Sequence, residues 1–498
     1  MPALYFCLAF WKLTVLFHLL DTLTLIFLNI CNVIAAIHIM LTRKEPTSSL
    51  CWIAVCFALP GFGLILYLVF GVNRIQTVAS QWHSERKFNR AHPEIVEANS
   101  EVDLPESMPS FPDFPNFFRM KHLGDRVGEE KLLTGCHVTP LFNGSEAYPE
   151  MIKAMDSAMS TIYLATYLFG PTGIGQEIIQ ALYRAHQRGL EVRVVIDGVG
   201  AMYSWPTAYR KLKKLGVPVA LFLPPFKSWF YTLHLNLRSH RKLLIIDGTL
   251  AFTGGMNIHP DNYSKNPDEL PEILDIHFKV KGPVIGQLQD SFARSWFFAT
   301  GQLLHQVFYF DGEAHGDMLC RGVNDGPSQN LPKISLLIRG ALCSAKYSIK
   351  IMTPYLILDQ SMRTFFTTAA LRGIKVEIIM PQANNLAFVQ WASESLFPTL
   401  LKCDLQLYYR SGHFAHTKIL IMDDQYVLLG SSNIDNRSMY LNFEYGLEVY
   451  SERFASQLIF HFEEVKSKAR RITYAYLQSR SLGIKLRNAF FNLFSPYM

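Results

Sequence analysis

The chain has 498 residues, 49% of them hydrophobic, and a formal net charge of +6 at neutral pH. Such a length exceeds a usual single core, so two or three domains are expected, and the modest basic charge suits an anionic partner or a membrane protein. Eight cysteines are scattered without a CxxC pair, which argues against a disulfide framework and against a zinc site.

The apolar excess is concentrated in the first 72 residues. Residues 22–42 and 48–72 carry no formal charge, and each is long enough to cross ~30 Å of hydrocarbon at about 1.5 Å per residue. The short polar turn "RKEPTS" between them completes an expected transmembrane hairpin. Pro60 and Gly61 should kink the second span or make it re-entrant. Residues 4–20, interrupted by Lys12 and His18 and followed by Asp21, either extend the first helix or lie at the interface. No basic n-region or small-residue cleavage site is evident, so a cleavable signal peptide is not expected. Arg74, Arg86, Lys87 and Arg90 follow the second span, against Arg43 and Lys44 in the turn. This asymmetry favours a cytoplasmic C-terminal body on a multi-pass protein of the cell (inner) membrane.

Residues 73–135 are polar and contain five prolines, which reads as a linker with some helix at its start. An internal duplication follows. "IYLATYLF" (162–169) resembles "IKIMTPYLI" (349–357), "RGLEVRVVID" (188–197) resembles "RGIKVEIIMP" (372–381), and "HRKLLIIDGTLAFTGGMNI" (240–258) resembles "HTKILIMDDQYVLLGSSNI" (416–434). Each unit reads as strand, helix, strand and a hairpin around the repeated motif, with runs such as "EVRVVI" and "KVEIIM" as buried strands. The expected fold is α/β: two repeats with pseudo-two-fold symmetry behind a transmembrane hairpin, one site being built where the motifs meet. The expected segments are the hairpin 1–72, the linker 73–135, domains 136–325 and 326–480, and an amphipathic tail 481–498.

On a strand, residues i and i+2 face one side, so His240 points with Lys242 and His416 with Lys418. Asn257 and Asn433 follow Gly-rich turns that return the chain toward the same place. Two imidazoles, two ammonium groups and two carboxamides suit an anion with several oxygens, phosphate above all. One neutral imidazole can attack phosphorus while the other, protonated, supplies the leaving alkoxide with its proton. The lysines stabilise the equatorial oxygens, so neither metal nor cofactor is expected. One H-x-K-x4-D is a weak signal. Two copies, each followed by G-[GS]-x-N within a duplication, are a strong one.

With these residues the chain resembles the phospholipase D superfamily, marked by duplicated H-x-K-x4-D-x6-G-[SG]-x-N, and within it the bacterial cardiolipin synthases. Further likenesses are "LILYLVFG" in the hairpin, "TPY" at 353–355 and "GSSNIDNRSMYLNFE" at 430–444. The resemblance implies phosphatidyl transfer from one phosphatidylglycerol to another with release of glycerol. The alternative acceptor is water or another alcohol, as in a phospholipase D or a phosphatidylserine synthase. The implied partners are anionic phospholipids and the bilayer rather than nucleic acid; the oligomeric state stays open. The implied catalytic set is His240, Lys242, Asp247, His416, Lys418 and Asp423, with Asn257 and Asn433 binding substrate. His240 would be the nucleophile and His416 the general acid, then base. Asp247 and Asp423 would support the motifs rather than touch substrate. Asp275 and Glu444 match acidic positions that orient catalytic histidines, with Glu444 expected at His240 and Asp275 at His416.

The chain departs from many relatives at "ILDIH" (273–277), which lacks the Trp and Arg of Trp-Arg-Asp-x-His, and at "GPTGIG" (170–175), which replaces an acidic residue. His234, His259, His277, His305, His315 and His413 do not recur in register and are expected in ordinary hydrogen-bonding roles. "FLPPFKSWFY" (222–231) is either packed or a lipid-facing lip. In the tail, Leu486, Phe490, Leu493 and Phe494 share one helical face. That face is expected either to anchor the protein at a lipid interface, with Lys485 and Arg487 alongside, or to pack on the body.

Overall fold

The computed structural model describes residues 2–42, 46–71, 116–128, 130–224, 237–266, 269, 271–304, 314–327 and 331–498. Residues 73–115 of the expected linker, residues 225–231 of the aromatic loop, His234 and His305 lie outside them. The chain divides into two compact units, Met1–Val78 and Ala79–Met498.

In the first unit, a continuous helix runs Pro2–Thr42, so residues 4–20 extend the first helix. Within it, His18–Thr42 is long and apolar enough to cross a membrane. Helix Pro46–Ala58 stops where the proline ring removes a backbone donor at Pro60 and Gly61 adopts φ 79°. The chain resumes as Phe62–Leu66 and a wide turn, Tyr67–Gly71. The second apolar stretch is therefore broken, and its longest apolar helix, Ser48–Ala58, is shorter than a span. The turn folds back on its neighbours: Ala35, Ile39, Cys56 and Tyr67 form a small buried cluster, and His38 Nδ1 lies 2.6 Å from the Tyr67 hydroxyl. The rest of the first helix exposes Leu25, Ile26, Phe27, Ile30, Val33 and Ile34, an apolar surface suited to lipid rather than water.

The second unit is built on one sheet of fifteen strands. Its first half comprises β1 (Leu133–Phe142), β2 (Thr161–Thr166), β3 (Glu191–Asp197), β4 (Val219–Phe222), β5 (Leu243–Ile246), β6 (Leu250–Gly254), β7 (Ile273–Leu274) and β8 (Ile276–Lys281). Its second half comprises β9 (Met318–Asp325), β10 (Ser348–Met352), β11 (Lys375–Pro381), β12 (Gln406–Arg410), β13 (Phe414–Ala415), β14 (Ile419–Met422), β15 (Tyr426–Gly430), β16 (Glu444–Tyr450) and β17 (Ala469–Arg471). Read outward from the centre, the order is β1-β8-β6-β5-β2-β3-β4 on one side and β9-β16-β15-β14-β10-β11-β12 on the other, with β17 at the far edge. This equality is the pseudo-two-fold symmetry, and its axis passes between the antiparallel neighbours β1 and β9. Strands β7 and β13 pair separately, in parallel, across the two halves.

Strands β2, β5, β14 and β15 are buried along their whole length, as apolar runs covered on both faces must be. One face carries helices Asn143–Ser157 and Ile174–Gln187 in the first half, and Lys333–Ser344 and Gln360–Leu371 in the second. The other face carries Ile285–Thr300 and Glu452–Ser467 over a core shared by both halves, from Tyr163 and Leu243 to Ile421 and Phe454. Local chemistry sets the helix starts. Asp359 accepts from Met362 N at 2.6 Å and Ser451 caps the helix beginning at Glu452. Helix Phe117–Val127 lies within the expected linker. Its Gly124 meets the Arg321 guanidinium, where a Cβ would fall 1.5 Å from Nη2.

The tail forms helix Leu482–Asn492, packed on helix Ala387–Lys402. Asn488 is buried and donates to Glu394 at 2.9 Å, and the Phe491 ring packs tilted against Trp391 with centroids 5.0 Å apart. Yet Leu486, Phe490, Leu493 and Phe494 stay exposed. The helix packs through its other face and presents the apolar one outward.

Candidate active site

Four short segments make the site, two from each half, and each half clamps the other. Ser239 pairs with Phe443, and His240 N donates to Phe443 O at 2.8 Å. On the symmetry-related side β7 pairs with β13, and His416 N donates to Leu274 O at 2.7 Å. Each histidine is thus delivered to the acidic residue of the opposite half. His240 Nδ1 lies 3.1 Å from Glu444 Oε2, and His416 Nδ1 lies 3.1 Å from Asp275 Oδ2. Both carboxylates are fully buried.

The lysines enter from the start of β5 and β14. Lys242 Nζ donates to His240 O at 2.8 Å, and Lys418 Nζ donates to His416 O. Burial lowers Lys242 to about 7 and Lys418 to about 8. Two buried ammonium groups this close to neutrality are poised for an anion, whose charge would restore theirs. Asn257 and Asn433 stand beyond β6 and β15, and Oδ1 of each is buried without a hydrogen-bond partner among the described residues. Buried polar groups are rarely left unpaired, and an amide oxygen accepts, so the natural complement of each is a ligand hydroxyl, while turning the amide over would present its NH2 to a phosphate oxygen.

The two imidazoles are not equivalent. His240 Nδ1 faces two acceptors, Glu444 Oε2 and Ser431 O, the latter at 3.0 Å. Its proton therefore sits on Nδ1, and Nε2 keeps a free lone pair. His416 Nδ1 faces one acceptor, Asp275, and one donor, Lys418 Nζ at 2.9 Å. Its Nδ1 is shared between a carboxylate and an ammonium group, so the proton is not fixed there by two acceptors as it is in His240. Burial lowers both histidines, His416 to about 3 with Lys418 adding to the effect. Burial alone would raise Glu444, but His240, Lys242 and Ser431 outweigh it and hold the carboxylate ionised.

Asp247 and Asp423, which the motif groups with the catalytic residues, lie outside this cluster. Each sits in the turn after its strand with φ near 50°. Asp247 accepts from the backbone of Met159, Ser160 and Thr161 at 2.8 Å, and Asp423 from Lys346, Tyr347 and Ser348 at 2.8–2.9 Å. They tie the motif hairpin to the start of β2 and β10, the far end of the strand from the histidine. Four further residues hold the site. Ser431 donates to Glu444, while its counterpart is Gly255. Asp197 accepts from Ser239 N at 2.9 Å and pairs with Arg238 at 3.4 Å, fixing the segment that carries His240. Tyr167 sets its ring edge to face 5.2 Å from His240. Ser431 is the [GS] position of the repeated motif, and Asp197 shows as a charge closing an apolar strand.

A family model described as cardiolipin synthase, phospholipase D-like domain, matches residues 151–296 and 338–466. A phospholipase D-nuclease N-terminal model matches residues 30–71. The chain belongs to the phospholipase D-like cardiolipin synthase family. It is 30% identical to cardiolipin synthase 1 of Bacillus anthracis over 92% of this chain and 91% of that one. It is 29% identical to the cardiolipin synthase of Geobacillus kaustophilus over 98% and 95%. The crystal structure of phosphatidylserine synthase from Haemophilus influenzae shares the fold at TM-score 0.60 and 15% identity, covering 76% of this chain and all of that one. The chain is thus an enzyme of the cardiolipin synthase type, and one matched segment falls in each half of the sheet.

Two further histidines of the described residues, His259 and His277, have other surroundings. His259 Nδ1 accepts from Asp261 N at 3.3 Å. His277 is buried beside Asp275 with Nδ1 unpartnered among the described residues, and burial lowers it to about 4. "ILDIH" has a backbone role: Ile273 and Leu274 form β7, half of the clamp that positions His416.

Proposed function

We propose that the protein is a membrane-bound phosphatidyltransferase that makes cardiolipin from two phosphatidylglycerols through a phosphohistidine intermediate. The observation that carries the reading is the crosswise pair of histidine–carboxylate contacts beside two buried lysines and two unsatisfied carboxamides. His240 Nε2 attacks phosphorus of the first phosphatidylglycerol, an N–P bond forms, and the bond to the headgroup glycerol oxygen breaks. His416 supplies the proton and glycerol leaves. The headgroup hydroxyl of a second phosphatidylglycerol then attacks phosphorus, its proton passes to His416, and the N–P bond breaks. Lys242, Lys418, Asn257 and Asn433 hold the non-bridging oxygens throughout. The placement of Nδ1 protons favours this division of roles, since only His240 is fixed with Nε2 as a base. The low pKa of His416 is no obstacle, because the phosphodiester brings the negative charge that raises it.

In this reading the N-terminal unit holds the enzyme in the cell membrane through His18–Thr42; a multi-pass arrangement requires the broken stretch after it to cross as well, and the excess of Lys and Arg after residue 72 supports a cytoplasmic body. The test is mass spectrometry of lipids after incubating the purified full chain with phosphatidylglycerol, with and without phosphatidylethanolamine. Cardiolipin and glycerol in equal amounts are expected. Phosphatidic acid as the main product would assign the protein to the phospholipases D instead.

A further inference from the structure

The outward face of the terminal helix is anomalous. Leu482, Leu486, Phe490, Leu493 and Phe494 are 46–72% exposed, although Ile484, Arg487, Asn488 and Phe491 already pack the helix onto the body. A helix with one face docked normally turns a polar face to water. Nor is the face isolated from the chemistry. Ser495 O accepts from Asn436 Nδ2 at 2.7 Å and Met498 O from Arg437 N at 3.0 Å, three and four residues beyond Asn433.

A second exposed apolar cluster lies on the other half. Met202, Tyr203 and Trp205 are 55–75% exposed on the loop that follows β3. Tyr203 hydrogen-bonds Tyr167, whose ring packs on His240. The symmetry-related loop after β11 exposes Leu386, and the first turn of the helix after it exposes Phe388. It is tied to the segment after β10 by Asn384 Nδ2 donating to Pro354 O at 2.9 Å and by the Tyr355 hydroxyl donating to Asn385 at 2.7 Å. These exposed apolar groups, one set on each half, border segments that build the site, whereas others such as Met159 and Tyr347 lie at the far ends of the strands.

Charge follows the same pattern. Residues 198–224 hold four basic and no acidic residues, residues 382–393 are uncharged, and residues 472–498 hold three basic and no acidic residues. Outside these segments the chain has 40 basic against 41 acidic residues, so its net positive charge resides here. Arg210 lies over the exposed Trp205 at 4.0 Å, and at the edge of the docked seam Arg487 lies over Trp391 at 4.2 Å. Aromatic rings beside cations are the composition of a surface that sits at anionic headgroup depth.

We propose that these two loops and the outward face of the terminal helix form one seating surface for an anionic lipid monolayer around the mouth of the active site, distinct from the N-terminal helix. Seating there would bring substrate phosphodiesters to the histidines without lifting the lipid into water. The proposal deepens the phosphatidyltransferase reading but is tested without it. A nitroxide on an introduced keto amino acid is placed in turn at positions 205, 486 and 490 of the full chain, with position 460 as control. Phe460 is 77% exposed on helix Glu452–Ser467, away from these segments. The chain is reconstituted in bilayers with and without phosphatidylglycerol, and collision with oxygen and with a water-soluble nickel chelate is compared. Labels at 205, 486 and 490 should favour oxygen over nickel by roughly tenfold relative to position 460, more so with anionic lipid. Labels as open to nickel as position 460 would overturn the proposal. Spin–spin broadening between labels of separate chains would also overturn it, by showing a second copy on the face. Depth is read without turnover, so a seated protein that makes no cardiolipin would refute the transferase reading alone.

Discussion

Replacing Glu444 by Gln removes a full charge from the catalytic core while keeping its shape. Glu444 Oε2 lies 3.1 Å from His240 Nδ1 with both groups buried. At that separation and an effective dielectric of about 20, the attraction between carboxylate and imidazolium is about 5 kcal/mol. The ring acquires positive charge as His240 bonds to phosphorus, so roughly half of this is expressed in the transition state, about a 10²-fold loss of kcat/KM. The fold should survive. Oε1 of Glu444 accepts from Asn442 Nδ2 at 3.1 Å, and Asn442 Oδ1 is without a partner among the described residues. Turning the Asn442 amide over presents that oxygen to the new Gln NH2, leaving the Gln oxygen for His240. The assay is phosphatidylglycerol turnover in mixed micelles, with thermal unfolding measured in the same micelles. A loss below tenfold with an unchanged unfolding transition would refute the argument that this charge stabilises the attacking ring.

Either His240→Ala or His416→Ala should cost at least ~10²-fold in phosphatidyl transfer, since nucleophile and acid come from different halves; near-normal turnover by either would contradict a shared site. Lysines must be charged to hold phosphate and are charged below their pKa, so kcat/KM should fall as pH rises through about 7 and 8, the values to which burial lowers Lys242 and Lys418. Lys242→Arg, always protonated, should move that limb upward, and a pH profile of the variant reads it directly. His277 is held neutral at about 4 in the fold but takes a proton near 6.5 when unfolded. Stability should therefore drop as pH falls from 6.5 toward 4, by about 3 kcal/mol from this residue. Denaturant unfolding at pH 7 and pH 4.5 should show a smaller difference in His277→Asn.

The duplication was legible because the repeated segments are the buried strands and the motif hairpins, whose composition and turns are constrained at every position. β2, β3, β5, β6 and their partners in the second half are the elements that recur as sequence. The strands that join the halves were less legible. β1 and β9 pair through a bulged register, Leu133 with Cys320 and Cys136 with Met318, and nothing local announces a partner so far away in the chain. β4 and β12 differ in length and in the helices before them, Ala208–Lys214 and Ala387–Lys402, so similarity is lost there. In the site, strand alternation alone set each His with its Lys. The structure adds what depends on contacts between halves: the Ser239–Phe443 bridge, the β7–β13 pair and Ser431 on Glu444. The broken second helix shows local chemistry outweighing hydropathy. Residues 48–72 are apolar throughout, but Pro60 and a left-handed Gly61 end the helix. The tail helix is docked on the body, as one alternative had it, but through a different face from the apolar one the sequence marks, which stays exposed.

Covalent transfer within one shared site is the centre of the account, and rapid acid-free quenching with headgroup- and acyl-labelled phosphatidylglycerol tests it most directly. Peptide mapping should find the acyl label, and not the glycerol label, on His240 alone, approaching one per chain. Label on both His240 and His416, or release of glycerol with no covalent label at any time, would contradict it.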